Sequence, residues 1–433
     1  MTRSSTTRHL IAATLTTLLL TGSGASAASA ADTGSNWWYD AYGMDAIHAE
    51  GWTGKDVKIA VIDANINPDL PAFQGRNLTV DPRPLCAEAT APTTTQATQD
   101  SVHGTTLVAQ IIGTGNGAGG IRGIAPDAAV TFYSLGILNN SDACTPSQYP
   151  DSLSAIALGL QRAIDDGAQI VATSTTMGAG PDDADVIANA IAKGVVVIST
   201  GPNATSTRTM GLGAYRGVVV SSAVDSSGAL PKTSDGKPFV ETSTTVVAPG
   251  VGVSTVGVEG GSWNESRWAT GSSFTTPLVA GMLALVNQKY PEATGNQLLQ
   301  SLVRNTGKED HTLSNDAASG FGYGLAWPAH MLRNEPSQYP DENLLVSDSQ
   351  RPPSDQQITA AAQRGSTYPL SAPTSTPAGP PRGYEAGDTQ NDGSWTPLLL
   401  GAVAGIVVIV IGAGVATMVV LRKQKQRKTG SVS

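Results

Sequence analysis

The chain has 433 residues, a formal net charge of −9 and only two cysteines. This length accommodates one large domain with appendages. Because an acidic surface repels nucleic acid, we expect no nucleic-acid partner. Neither cysteine belongs to a metal-ligand pattern, and we predict no metal site and no cofactor.

The first 31 residues have the features of a secretory signal peptide. Arg3 and Arg8 precede an apolar stretch over residues 10–20, and small residues end in Ala28-Ser29-Ala30. This order matches a charged region, an apolar region and an A-x-A-like cleavage site. A membrane anchor is the alternative, but the apolar stretch is short for a bilayer span.

The first candidate for chemistry is Asp63, which ends the β-branched, apolar run of residues 58–63. Such a run predicts a core strand of a parallel sheet. Functional groups gather beyond the carboxyl ends of strands in open α/β sheets. A carboxylate that only caps a strand-to-loop turn is the alternative interpretation.

The second candidate is His103, which begins an apolar, helix-like segment. We expect Gly104 to leave room beside the imidazole for a substrate backbone. The other four histidines lie in the leader or lack a glycine-flanked helix start. A histidine with a purely structural role is the alternative.

The third candidate is Ser273, within the segment TGSSFTTP of residues 270–277 and ahead of an apolar helix. Backbone N–H groups and the helix dipole at such a position stabilise negative charge. Acyl transfer needs that arrangement, because the tetrahedral intermediate places an oxyanion beside the attacking hydroxyl.

The order Asp63, His103, Ser273 is the order of the subtilisin triad. The segments AVID, HGT followed by LVA, and GSSFTTPLVAG resemble the three motifs of subtilase serine proteases, and residues 123–126 (GIAP) and 247–250 (VAPG) resemble turns of that family. The resemblance covers residues 37–332. It implies that Ser273 is the nucleophile, His103 the general base and Asp63 the group that orients the imidazole.

The resemblance also implies an oxyanion-hole amide, for which Asn203 is the candidate. Subtilases usually join Gly directly to this Asn, whereas Pro202 intervenes here. Either the backbone bends differently or Asn203 is not the donor. Two further departures are Gln110, where Gly is common, and Ser272, where Thr is common.

Substrate binding is assigned by the same resemblance to Ser174, Thr175 and Thr176, as the segment that pairs with the substrate backbone. Thr176 stands where the family usually has Gly, which predicts a narrowed or rearranged specificity pocket.

Alternating strand-like and helix-like segments predict an α/β fold. We expect a subtilisin-like three-layer domain with a mainly parallel central sheet over residues 32–332. Residues 78–101 are interpreted as a long loop that contains Cys86. Cys86 and Cys144 both lie in loop-like sequence outside the membrane, which favours one disulfide over two free thiols.

The C-terminal region predicts a membrane anchor. Residues 333–394 have too little apolar content for a core and are interpreted as a disordered linker. Residues 395–421 form a predicted transmembrane helix, and the basic residues 422–433 place the tail in the cytoplasm. The expected topology is a single-pass type I protein of the cell membrane, embedded in the lipid bilayer, with its catalytic domain extracellular.

This architecture resembles the mycosins, membrane-anchored subtilases that accompany type VII secretion. The resemblance implies a protein or peptide substrate and membrane components of a secretion complex as partners. Two alternatives stay open: a non-catalytic subtilase-like scaffold in a membrane complex, and a surface protease that cleaves peptides for nutrition.

Overall fold

The computed structural model describes residues 36–138, 144–204, 211–347 and 350–364. The predicted signal peptide, transmembrane helix and cytoplasmic tail lie outside these ranges. Among the described residues, no helix combines the length and apolar character that a bilayer span requires.

A parallel sheet of seven strands forms the centre of the domain. Its spatial order is β2-β3-β1-β4-β5-β6-β7, and β8 and β9 form a separate antiparallel pair. The predicted mainly parallel sheet is confirmed. The strands are β1 (Lys58–Asp63), β2 (Leu78–Val80), β3 (Ala129–Ser134), β4 (Ile170–Thr173), β5 (Val196–Thr200), β6 (Val219–Val224), β7 (Val246–Pro249), β8 (Val251–Ser254) and β9 (Trp268–Thr270).

Helices cover both faces of the sheet. They are α1 (Trp37–Ala41), α2 (Met44–Ala49), α3 (Gln99–Ile112), α4 (Ala155–Asp165), α5 (Asp183–Ala192), α6 (Thr275–Lys289), α7 (Gly295–Arg304), α8 (Pro328–Arg333) and α9 (Asp355–Arg364). Side chains of β1 alternate between the two faces: Ile59 and Val61 pack with α3 and α6, whereas Ala60 and Ile62 pack with α4 and α5. Because both faces are buried, the strands are almost continuously apolar, and the three-layer prediction is confirmed.

The segment predicted as a long loop, residues 78–101, is more ordered than expected. Its first three residues pair with β3 as strand β2, and its last three form the first turn of α3. Short edge strands and helix starts carry little periodic signal, which is why the sequence pattern missed both.

The predicted disulfide between Cys86 and Cys144 is present and joins positions 58 residues apart. Backbone hydrogen bonds on either side support it, from Ala87 N to Thr145 O at 2.7 Å and from Ser147 N to Leu85 O at 2.7 Å. The bridge therefore fixes the segment before α3 to the chain that leads into α4.

We expect the double variant Cys86→Ala/Cys144→Ala to lose about 4 kcal/mol of unfolding free energy, because an unbridged chain recovers the entropy of a loop this long. Guanidinium denaturation of wild type and variant under non-reducing conditions measures the difference. The wild type under reducing conditions serves as the control and should resemble the variant. Equal denaturation midpoints in all three samples would contradict the expectation.

The prediction of a disordered linker was wrong for residues 333–347 and 350–364. Arg216, only 2% exposed, donates to the carbonyl oxygens of Val346 and Pro353 and pairs with Asp355. Helix α9 packs on α5, and Gln357 Nε2 donates to Asp185 Oδ1 at 2.9 Å. A polar segment needs no core of its own when a buried arginine and its neighbours bind it.

Candidate active site

Asp63 lies at the carboxyl end of β1, the strand between β3 and β4. Its carboxylate is 1% exposed, and its Oδ1 accepts hydrogen bonds from Ala64 N at 2.8 Å and from His103 Nδ1 at 3.0 Å. Because the carboxylate accepts a hydrogen bond from Nδ1, Nδ1 carries the proton, and Nε2 is the basic nitrogen of the neutral ring.

His103 lies in the second turn of α3, whose start is fixed by a capping box. Thr98 Oγ1 accepts from Ser101 N at 3.1 Å, and Ser101 Oγ accepts from Thr98 N at 2.9 Å. The His103 side chain is 27% exposed, so part of the ring is accessible from outside the protein.

Gly104 has a different role from the one expected. A Cβ at this position would lie 2.3 Å from the carbonyl oxygen of Asn65 and 3.0 Å from the ring of Phe132. The glycine therefore lets α3 approach the turn after β1, which brings His103 to Asp63. The expectation that Gly104 makes room for substrate is replaced by this packing role.

The pKa of His103 lies above its ordinary value of 6.5. Burial disfavours the imidazolium and alone would lower this pKa, but the charge of Asp63, its hydrogen bond and the charge of Asp100 outweigh burial. Asp100 was missed in the sequence. Its position three residues before His103, on the same helical face, was the available signal.

Ser273 lies in a single 3-10 turn, Ser272–Phe274, directly before α6. Its carbonyl oxygen accepts from Ser174 Oγ at 2.8 Å and from Thr276 Oγ1 at 3.2 Å. The ring of Phe274 lies 5.7 Å from the imidazole of His103, measured between ring centroids. The turn that carries Ser273 is thus adjacent to His103.

Asn203 approaches the same turn despite Pro202. Its Oδ1 accepts from Ser272 N at 2.7 Å. A Cβ on Gly271 would lie 3.5 Å from Ser273 Oγ and 3.6 Å from both Nδ2 and Oδ1 of Asn203. Because Oδ1 accepts this hydrogen bond, any hydrogen bond that the Asn203 amide donates comes from Nδ2.

The three residues predicted to bind substrate follow β4. Ser174 is 7% exposed, and its hydroxyl contacts Ser273 O and Thr276 Oγ1. Thr175 and Thr176 are half-buried, and Gly211 packs against Thr176. The Ser174 hydroxyl therefore supports the turn of Ser273. Thr276, which shares this contact, was not identified in the sequence because a hydroxyl in an apolar helix resembles core packing.

Gln110 occupies the interior of α3 and is fully buried. Neither side-chain Nε2 nor Oε1 has a hydrogen-bond partner among the described residues. A buried amide without partners costs on the order of 1–3 kcal/mol of unfolding free energy. The side chain at this departure from the family pattern therefore lies in the interior of the domain and not at an exposed surface.

The Peptidase S8 (subtilase) family pattern matches residues 54–324. Subtilisin NAT of Bacillus subtilis subsp. natto is 31% identical over 266 residues, which are 59% of this chain and 62% of that protein. Subtilisin of Bacillus pumilus is 30% identical over 266 residues, 59% of this chain and 86% of that protein. The chain thus spans about three fifths of the length of the first of these relatives.

Two solved structures share the fold. Fervidolysin from Fervidobacterium pennivorans has a TM-score of 0.53 and 22% identity, covering 70% of this chain and 47% of its own. MycP1 from Mycobacterium smegmatis has a TM-score of 0.51 and 19% identity, covering 71% of this chain and 86% of its own. From its motifs, its sheet and the extent of the family match, the chain belongs to the subtilase family.

Proposed function

We propose that the chain is a serine endopeptidase that uses Asp63, His103 and Ser273 as a catalytic triad. The observation that carries the proposal is the 3.0 Å hydrogen bond between Asp63 and His103, next to the turn of Ser273. A buried carboxylate bonded to a part-exposed imidazole beside a serine at a helix start is the arrangement that activates a hydroxyl.

In this mechanism Ser273 Oγ forms a bond to the scissile carbonyl carbon while its proton passes to His103 Nε2. Asp63 stabilises the resulting imidazolium. Collapse of the intermediate breaks the C–N bond, and His103 returns the proton to the departing amine. Water then repeats the sequence on the acyl-enzyme and releases a carboxylic acid.

The oxyanion of each intermediate is held in this proposal by Ser273 N–H and Asn203 Nδ2. The hydrogen bond from Ser272 N to Asn203 Oδ1 supports this role, because it orients the amide before substrate arrives. A donor that is already oriented needs no reorganisation during the reaction.

We expect Asn203→Asp to lower kcat by about 10²–10³-fold or more, because the donor is lost and a negative charge faces the oxyanion. The new carboxylate still accepts from Ser272 N–H, so the turn is retained. Asn203→Ala, which loses both contacts, is the comparison. Steady-state kinetics on a peptide substrate measures the effect, and wild-type kcat in Asn203→Asp would exclude the amide as donor.

The raised pKa of His103 predicts the pH dependence of activity. Only neutral His103 accepts the proton of Ser273, so activity is lost as pH falls through this raised pKa. In Asp100→Asn, one of the charges that raise the pKa is removed, and the acidic limb of kcat/KM should move to lower pH. Asp100→Glu, which keeps the charge, is the control. An unmoved or upward-shifted limb in Asp100→Asn would contradict this cause.

We further propose that the protease is anchored in the cell membrane, exposed on its outer side, and associated with a type VII secretion complex. The support is the order of segments in the sequence: leader, subtilase domain, polar segment, apolar span and basic tail. The substrate in this proposal is a protein or peptide that undergoes limited processing.

A second candidate function is a scaffold without catalysis. Three departures from the usual family sequence favour it. They are the buried amide of Gln110, which has no hydrogen-bond partner among the described residues, Thr176 in place of the usual Gly, and Pro202 between Gly201 and Asn203. The intact hydrogen bond between Asp63 and His103 opposes it.

A fluorophosphonate probe distinguishes the two. Full-length protein is labelled, digested and mapped by mass spectrometry, beside heat-unfolded protein as the control. An adduct on Ser273 of folded protein alone supports the protease. Folded protein without an adduct supports the scaffold.

Deletion of residues 395–433 tests the anchored secretion role. Loss of export with peptide turnover retained would support it and would exclude a purely nutritional protease. Retained export would exclude the anchored role.

A further inference from the structure

A cleft of about 710 Å³ lies beside the candidate active site, between residues 95–99 and residues 259–264. Hydrogen bonds fix its two walls to each other. Trp263 Nε1 donates to Thr95 O at 2.7 Å, and Gly260 N donates to Ala97 O at 2.8 Å. The cleft is therefore a built feature and not a gap between independent loops.

Both walls are close in sequence to candidate catalytic residues. One wall ends at Gln99, the first residue of α3, one turn before His103. The other is part of the loop between β8 and β9, and Ser273 is the third residue after β9. None of residues 174–176, the segment predicted to pair with the substrate backbone, lines the cleft.

The chemistry of the reaction identifies the part of a substrate that reaches this cleft. His103 returns a proton to the departing amine, so the nitrogen of the scissile bond must face the imidazole. The residues on the amine side of the bond therefore lie on the His103 side of the site. Residues 95–99, which lead into the helix of His103, form one wall of the cleft.

The charge of the cleft favours a cationic side chain. Glu259 lies on one wall, and Asp100 follows the other. Burial and then the charges of Asp63 and Glu259 raise the pKa of Asp100. Arg267 offsets the negative charge of Glu259 only partly, since its Nη2 lies 3.9 Å from Glu259 Oε2 and both side chains are 48% exposed.

Trp263 adds an aromatic surface to the same cleft. Its ring packs against Gly257, where a Cβ would lie 2.6 Å from Cε3 of the indole. The aliphatic stem of a lysine or arginine packs well on an indole, and its charged end is attracted by the ring and by carboxylates.

We propose that this cleft is a leaving-group-side subsite that selects a lysine or arginine just after the scissile bond. The inference rests on the proposed protease function. It assigns specificity to Glu259 and Trp263, while the triad performs the chemistry.

The test uses quenched fluorescent peptides that differ only in the two residues after the scissile bond, which are Lys, Gln or Glu. Full-length wild type should cleave the Lys peptide with kcat/KM roughly 10-fold above the Glu peptide. In Glu259→Gln this ratio of kcat/KM values should fall about 3-fold. The wild-type ratio should also shrink at high salt because exposed charges are screened. Trp263→Leu should weaken binding of the Lys and Gln peptides together. Glu292→Gln, a remote exposed carboxylate, is the matched control.

A binding arm separates failure of the subsite from failure of the proposed function. The same peptides are titrated by anisotropy into Ser273→Ala and into Ser273→Ala/Glu259→Gln, where no turnover occurs. A preference for Lys over Glu that Glu259→Gln reduces supports the subsite even if wild type proves inactive. Equal dissociation constants for the three peptides, or a preference unchanged by Glu259→Gln, overturn it while fluorophosphonate labelling still reports on the triad.

Discussion

Replacing Ser273 with alanine should lower kcat by about 10⁶-fold, the order known for the nucleophile of subtilisin, to which this chain is similar. The alanine leaves the main chain intact, so the hydrogen bonds of Ser174 and Thr276 to the carbonyl oxygen of residue 273 persist. Only the attacking hydroxyl is lost. A single-turnover assay with a fluorescent peptide has the sensitivity to measure the remaining rate.

The matched control is Ser337→Ala, which removes an exposed serine whose hydroxyl donates to the nearby Glu335 carboxylate. Its kcat and melting temperature should equal those of wild type. If Ser273→Ala kept more than a small fraction of wild-type turnover, another residue would be the nucleophile and the proposed triad would be wrong.

Replacing Asp63 with asparagine should lower kcat by about 10⁴-fold with little change in shape. Asp63 Oδ1 accepts from both Ala64 N and His103 Nδ1, so the asparagine oxygen can take its place and the orientation of the ring is kept. The imidazolium loses its counter-charge, and the pKa of His103 should fall, since Asp63 is the main group that raises it.

Steady-state kinetics gives the loss in kcat, and NMR titration of the His103 ring gives the pKa. Asp151→Asn, an exposed carboxylate far along the chain from the site, is the control. A wild-type rate in Asp63→Asn, or an unchanged His103 pKa, would show that the 3.0 Å hydrogen bond does not tune the imidazole.

Much of this architecture was readable from the sequence because its signals are local and strong. Continuous β-branched runs predict buried parallel strands, and Asp63 follows such a run directly. The order of Asp63, His103 and Ser273 predicted which distant segments meet. The hydrogen bond between the first two shows that sheet order and the capped start of α3 bring them together.

Features that depend on tertiary contacts were missed. The packing of Gly104 on Asn65 joins residues far apart in sequence, and no local pattern indicates it. The support that Ser174 gives to Ser273 likewise arises from the meeting of β4 with α6. Composition alone also misjudged residues 333–347 and 350–364, because it does not reveal that Arg216 offers them a binding site.

That arginine changes where the folded unit ends. A recombinant fragment that stops at residue 332 would strip Arg216 of the carbonyl groups and carboxylate that solvate its guanidinium, leaving a cation enclosed without those acceptors. Any shortened version prepared for crystallisation or enzymology should therefore extend through residue 364.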